Sequence, residues 1–183
     1  MDTCVIIVDN SNVWIEGMKF SAKLKGITES QVEGKEPCDY SWRIDFGKLL
    51  SQVADGKTIK NTILVGSRPP KNDSLWASAE KQGFKVLVYD RNCLGKEKAV
   101  DSEIVAQGTK IVCRNPPAVL ILLSGDSDFL PMINIASEMG WETEVWSFAS
   151  ALQSAGSLAQ SATRVKLFDD VFKKIGYNQP RKK

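Results

Sequence analysis

Two apolar runs of this sequence each break off into carboxylates. Val5-Ile6-Ile7-Val8 leads straight into Asp9-Asn10-Ser11-Asn12, and Leu120-Ile121-Leu122-Leu123 leads into Ser124-Gly125-Asp126-Ser127-Asp128. A third acidic position, Asp101, opens a helical stretch one residue after Val100. Continuous apolar runs of this length suit buried parallel strands, and open α/β sheets bind ligands at the carboxyl ends of such strands. Carboxylates crowded there repel one another unless a cation intervenes. A hard divalent ion such as Mg²⁺ answers that need, because it takes oxygen ligands, uses one or two carboxylates and keeps several waters. Such an ion activates water and stabilises charge on a phosphodiester. Asn12 and Ser124 add an amide and a hydroxyl that can orient a ligand or a scissile phosphate. Each acid also has a plainer reading, as a helix cap or a first-turn residue favoured by the helix dipole. The functional reading rests on two strand ends and one helix start converging on a single edge.

Much other chemistry is excluded. The 183 residues contain no histidine, so a Ser-His-Asp triad, a histidine base and a Cys/His zinc site of the usual spacing are ruled out. The cysteines at 4, 38, 93 and 113 form no Cys-x-x-Cys pair. Cys4 and Cys113 stand among apolar residues, where buried reduced thiols are expected, and a reducing cytoplasmic or nuclear compartment follows. The net charge of +2 says little about partners, and Arg181-Lys182-Lys183 reads as a solvated tail. No apolar run approaches the ~20 residues of a membrane span. Met1-Asp2-Thr3-Cys4 lacks the basic start of a signal peptide. At 43% hydrophobic and 25% charged, the chain has the make-up of one globular domain with a substantial core.

The elements that must hold Asp9, Asp101 and Asp126 together can be read in order. Strands are expected at Thr3–Val8, Ile59–Val65, Lys85–Tyr89, Ala118–Leu123, Glu142–Ser147 and Arg164–Phe168. Helices alternate with them. One runs from about Asn12, capped by Asn10 or Ser11, to Lys25-Gly26; one capped by Asp45 ends at Asp55-Gly56; one runs from Asp73 or Ser74 to Gln82-Gly83. The stripe Val100, Ile104, Gly108, Ile111 marks a helix over Lys98–Val112, and others follow Asp128, span Leu152–Ala162 and close the domain over Asp169–Ile175. Ile27 to Tyr40 is polar, contains Gly34 and Pro37, and reads as a loop or excursion. Alternation of this kind means βαβ units with right-handed crossovers: a three-layer α/β/α sandwich on a mostly parallel sheet, of central order 3-2-1-4-5. Strands one and four then lie side by side at the switch point, with Asp9 and Asp126 ending them ~5 Å apart. Residues 1–176 make a single domain and 177–183 a basic tail.

At Val8-Asp9-Asn10-Ser11-Asn12, Lys98-Ala99-Val100-Asp101 and Ser124-Gly125-Asp126-Ser127-Asp128-Phe129, the sequence resembles the NYN-domain family of the PIN-like nuclease superfamily, which includes the LabA-like proteins. The motifs stand in the family's order across residues 5–146. The resemblance implies a PIN-like fold and metal-dependent RNA cleavage, with Mg²⁺ or Mn²⁺ as the ion. Asp9, Asn12, Asp101, Asp126 and Asp128 fall on the family's acidic-site pattern, with Ser124 beside them. Ala99 departs from the family's Gly. Gln107 stands where members often carry a second Asp, a change that weakens or reshapes a metal site. Residues 27–43 look like a family-variable insertion.

A phosphodiester also needs cations outside the acidic centre. Arg68 and Lys71 follow the second strand, and Arg91, Lys96 and Lys98 follow the third, which puts them at the same sheet edge by alternation. Plain solvation of loops explains such residues equally well. Trp14, two residues past Asn12, is the expected stacking platform for an unpaired base, with Trp42 a second candidate. Trp76, Trp141 and Trp146 are expected in the core. The leading expectation is a metal-dependent ribonuclease in which Asp9, Asp101, Asp126 and Asp128 serve the ion. The alternatives are a non-catalytic RNA-binding or protein-interaction module on the same fold, and a phosphohydrolase of small esters suggested by Asp126-x-Asp128. RNA is the expected partner, no membrane contact is expected, and a homodimer or protein partner stays open.

Overall fold

The computed structural model describes residues 1–67, 74–89 and 98–180, with side chains from Val100 onward in the last stretch. β1 (Thr3–Asp9) runs into α1 (Asn10–Leu24); β2 (Trp42–Ile44) and α2 (Phe46–Ala54) precede β3 (Thr58–Ser67). Then come α3 (Ser74–Lys81), β4 (Lys85–Tyr89), α4 (Lys98–Arg114) and β5 (Val119–Leu123). A 3-10 turn over Ser127–Phe129 opens α5 (Leu130–Glu138), followed by β6 (Glu142–Ser147), α6 (Ser157–Ser161) and β7 (Arg164–Leu167). A second 3-10 turn over Phe168–Val171, α7 (Phe172–Ile175) and β8 (Gly176–Asn178) complete the described chain.

Among the described residues, six strands form one sheet in the order β4-β3-β1-β5-β6-β7, every neighbouring pair parallel. That is the expected order, continued by β7 at one edge. The period of two explains the layers. Cys4, Ile6 and Val8 of β1 and Val119, Ile121 and Leu123 of β5 meet Val13, Leu49, Val53 and Trp76 from α1, α2 and α3. Val5, Ile7, Leu120 and Leu122 turn the other way, onto Val100, Ile104, Met132, Ile133 and Leu158 from α4, α5 and α6. The direction of chain progress reverses after β4, so right-handed crossovers place α4 to α6 on the opposite face. Val5 to Val8 are all buried. At roughly 2 kcal/mol per buried side chain, this burial outweighs the ~1 kcal/mol of a helix cap. The strand therefore fixes where Asp9 sits.

Departures from the expected elements have local causes. α1 begins two residues early because Asp9 itself is the N-cap, accepting from the Asn12 amide. The expected helix over Leu152–Ala162 shrinks to α6, since a turn closed by Gly156 N–H on the Gln153 carbonyl occupies its first half. Cys113, expected buried, is exposed at the end of α4, whereas Cys4 is buried as expected.

The excursion over residues 27–43 ends in a small second sheet, β2 antiparallel to β8. Tyr177 and Asn178, read as tail, pair there with Arg43 and Trp42. Trp42 is 1% exposed and stacks on Phe172 at 5.3 Å, so it is a core residue and no platform for a base. A β-carbon at Gly17 or Gly176 would collide with its indole, so both glycines are required by that ring. Asp39 ties the same parts together: its carboxylate accepts from Ser21 Oγ (2.7 Å), Lys25 Nζ (2.6 Å), Ser41 Oγ (2.6 Å) and Asn178 Nδ2 (2.8 Å). Burial pushes the Asp39 carboxyl up, but the bonds from Lys25, Ser41 and Ser21 outweigh it and hold it well below the usual carboxylate range.

Candidate active site at the switch point

The β1–β5 register ends with Val8 opposite Leu123, so the next residues, Asp9 and Ser124, leave the sheet side by side. Ser124 Oγ donates to Asp9 Oδ2 at 3.0 Å, and Asp9 Oδ1 accepts from the Asn12 amide at 3.3 Å. The Asn12 side chain reaches back across the switch point, where its Oδ1 accepts from Gly125 N–H at 3.3 Å. Ser124 Oγ accepts from the Asp126 amide at 3.2 Å, and Asp126 Oδ1 accepts from the Asp128 amide at 2.9 Å. One continuous network thus joins the two strand exits. The residue facing Asp9 is Ser124; Asp126 stands two residues further on, a shift from the expected pairing of Asp9 with Asp126. Ser124 is fully buried with its hydroxyl spent on Asp9 and Asp126, which makes it a positioning residue rather than one that meets a ligand.

The plainer readings of Asp9 and Asp126 hold too, for each caps the turn that follows it. Capping does not use up a carboxylate. Two oxygens offer about four lone-pair directions, and the caps take one or two of them.

Three of the four acids line two depressions that meet at Ser127, and Asp9 is buried behind them. Asn12 and Asp126 line a hollow of about 470 Å³ whose far wall is the turn after β6, from Ala151 to Gln153, and the start of α6. Asp101 and Asp128 sit at the mouth of a groove between α4 and α5, lined by Val105, Ala106, Thr109, Leu130, Pro131 and Ile135. Asp9 is buried, Asp126 and Asp101 half-buried and Asp128 exposed. Among the described residues, no three acidic or cysteine side chains are gathered as a ready-made metal cage. The donor set still fits Mg²⁺ or Mn²⁺: its atoms are hard oxygens, and such an ion needs only one or two carboxylates when waters complete its shell.

Gln107 turns away from this centre. Its Nε2 donates to Glu103 Oε1 at 2.7 Å and its Oε1 accepts from Lys85 Nζ at 3.4 Å, on the β4 side of α4. Glu103 in turn meets Tyr89, whose phenol is pushed up by burial and by that carboxylate. The groove is faced instead by Asp101, Val105 and Thr109, so the missing second acid lies on another side of the helix.

Of the expected substrate contacts, Arg68, Lys71 and Arg91, with Lys96, lie outside the described residues, as does the Lys98 side chain. Trp14 is half-buried against the core, and its indole N–H finds no partner among the described residues. Trp76, Trp141 and Trp146 are buried, as expected. Gln153 and Ser157, in the wall opposite Asp126, were not singled out from the sequence; only Gly156 between them marks that stretch, as a turn.

The NYN domain family model matches residues 10–168. The fold is similar to that of VPA0982, a protein of unknown function from Vibrio parahaemolyticus, with a TM-score of 0.67, 16% identity and 96% of each chain covered. At that identity the likeness concerns the fold alone. No curated protein matches the chain significantly.

Proposed function

Since this chain belongs to the NYN domain family, whose fold is that of PIN-like nucleases, we propose that it is a metal-dependent ribonuclease. The observation that carries the proposal is the network at the switch point, which ties the buried Asp9 carboxylate through Ser124 to Asp126 at the edge of a depression open to solvent. Asp9 and Asp126 are the residues that would hold Mg²⁺ or Mn²⁺, with Asp101 and Asp128 joining from the adjoining groove through waters. When bound, the ion supplies positive charge that acidifies water and offsets charge on the phosphate.

The chain's own residues do the rest. Ser124 keeps the Asp9 carboxylate in one orientation by donating to Oδ2, and it ties the Asp126 backbone to the same point. Asn12, anchored through Oδ1, keeps its amide N–H groups for a phosphate oxygen. A carboxylate of this set accepts the proton released by the attacking water, the role histidine plays elsewhere. Arg68, Lys71, Arg91 and Lys98 are proposed to offset phosphate charge beyond the acidic centre, and Trp14 to stack on an unpaired base through its exposed part.

The test is cleavage of labelled RNA with Mn²⁺ present. Asp9→Asn and Asp126→Asn are expected to abolish cleavage while the circular dichroism spectrum stays unchanged. Full activity in both variants, or undiminished activity in chelator, overturns the proposal. The second reading, a module that binds RNA or a protein without cleaving, is favoured by the separation of Asp126 from Asp101 and Asp128, which line different depressions. It predicts RNA or partner binding unaffected by chelator.

A further inference from the structure

The hollow between Asp126 and the turn after β6 differs in character from the acidic centre it adjoins. Its far wall carries Gln153 and Ser157, both exposed, and neither side chain has a hydrogen-bond partner among the described residues. Its floor is apolar, from buried Leu152 and Leu158. Among the described residues, no lysine, arginine or aromatic ring lines it. This far wall of uncharged donors and acceptors is poorly suited to a phosphate, which the opposite side serves through Asn12 and Asp126, and to base stacking, which needs a ring. It suits a sugar, with hydroxyls for the amide and the Ser157 Oγ and a carbon skeleton for the leucines. The volume, about 470 Å³, falls in the range of small-ligand sites.

The wall is also held in place. A β-carbon on Gly125 would lie 2.5 Å from the Ala151 carbonyl oxygen and 2.5 Å from Ser147 Oγ, so the exit of β5 packs directly on the turn that carries Gln153. We infer that this hollow is the ribose subsite beside the scissile phosphate, and that Gln153 and Ser157 recognise the 2′-hydroxyl. This assignment rests on the ribonuclease reading above and gives that reading its preference for RNA over DNA.

The experiment compares an RNA oligonucleotide with copies bearing a single 2′-deoxy position, scanned along the strand. Cleavage is measured with Mn²⁺, and binding by fluorescence anisotropy in chelator. For the wild-type protein, one 2′-deoxy position is expected to lower kcat/KM and affinity about three- to tenfold, the range of one or two hydrogen bonds. In the double variant Gln153→Ala, Ser157→Ala, RNA and the deoxy copy are expected to behave alike. Both side chains are exposed, so the fold tolerates the change. A 2′-deoxy penalty that persists undiminished in the variant overturns the assignment, as does its absence from the wild type in both assays. Binding that discriminates and loses discrimination in the variant, without any cleavage, supports the subsite while removing the ribonuclease reading.

Discussion

Asp9 does two jobs, and substitutions separate them. Its Oδ1 caps α1 and its Oδ2 receives the Ser124 hydroxyl. Asparagine keeps an oxygen for the cap but sets an amide NH₂ where Oδ2 accepted the Ser124 hydroxyl, so Asp9→Asn is expected to cost about 1 kcal/mol. Alanine removes the cap and leaves a fully buried hydroxyl at Ser124 without its acceptor, so Asp9→Ala is expected to cost about 2 kcal/mol. Chemical denaturation of both variants distinguishes them; equal losses would show that the carboxylate charge, not the cap, stabilises the fold. This duality is why the residue types were readable and their pairing was not. Val5 to Val8 and Leu120 to Leu123 announce two buried strands. The identity of the residue opposite Asp9 depends on register, which is set by the whole sheet and places Ser124 there.

At the scale of elements, the strands and their order were legible because β-branched runs alternate with helical stripes, leaving few topologies open. The β2–β8 sheet was not. Its strands are three residues each, come from distant parts of the chain, and exist because Trp42 finds a place between Gly17, Phe172 and Gly176. Nothing local in residues 27–43 says so. The start of α6 was misplaced for a similar reason: Leu152 has helical spacing but belongs to a turn packed on Gly125. That packing can be tested. Gly125→Ala is expected to push the turn after β6 off the exit of β5 and to move Asp126, because the obstructing atom is backbone. A stability loss of roughly 2 kcal/mol is expected, together with loss of RNA cleavage. An unchanged melting temperature would contradict the close contact.

Across the whole molecule, Asp39 joins α1, the residue-27–43 excursion and β8 through a single carboxylate. Its folded pKa is depressed relative to the unfolded value of about 3.9. The sign follows: the contribution is fully present above the unfolded pKa and drains away as pH falls through and below about 4. Asp39→Asn, still able to accept a hydrogen bond but uncharged, is expected to cost about 2 kcal/mol near neutrality. Its melting temperature should also fall less steeply than that of the wild type between pH 5 and roughly 2.5. Parallel acid limbs for the two proteins would remove Asp39 from the pH response. The cage around Trp42 has a consequence in time. The indole leaves the ribosome early, while Phe172 and Gly176 are added on the order of ten seconds later at ordinary elongation rates. Until then the nascent chain presents an uncovered tryptophan next to α1, the helix that bears Asn12. The outer wall of the molecule is thus finished only by the stretch synthesised after β7.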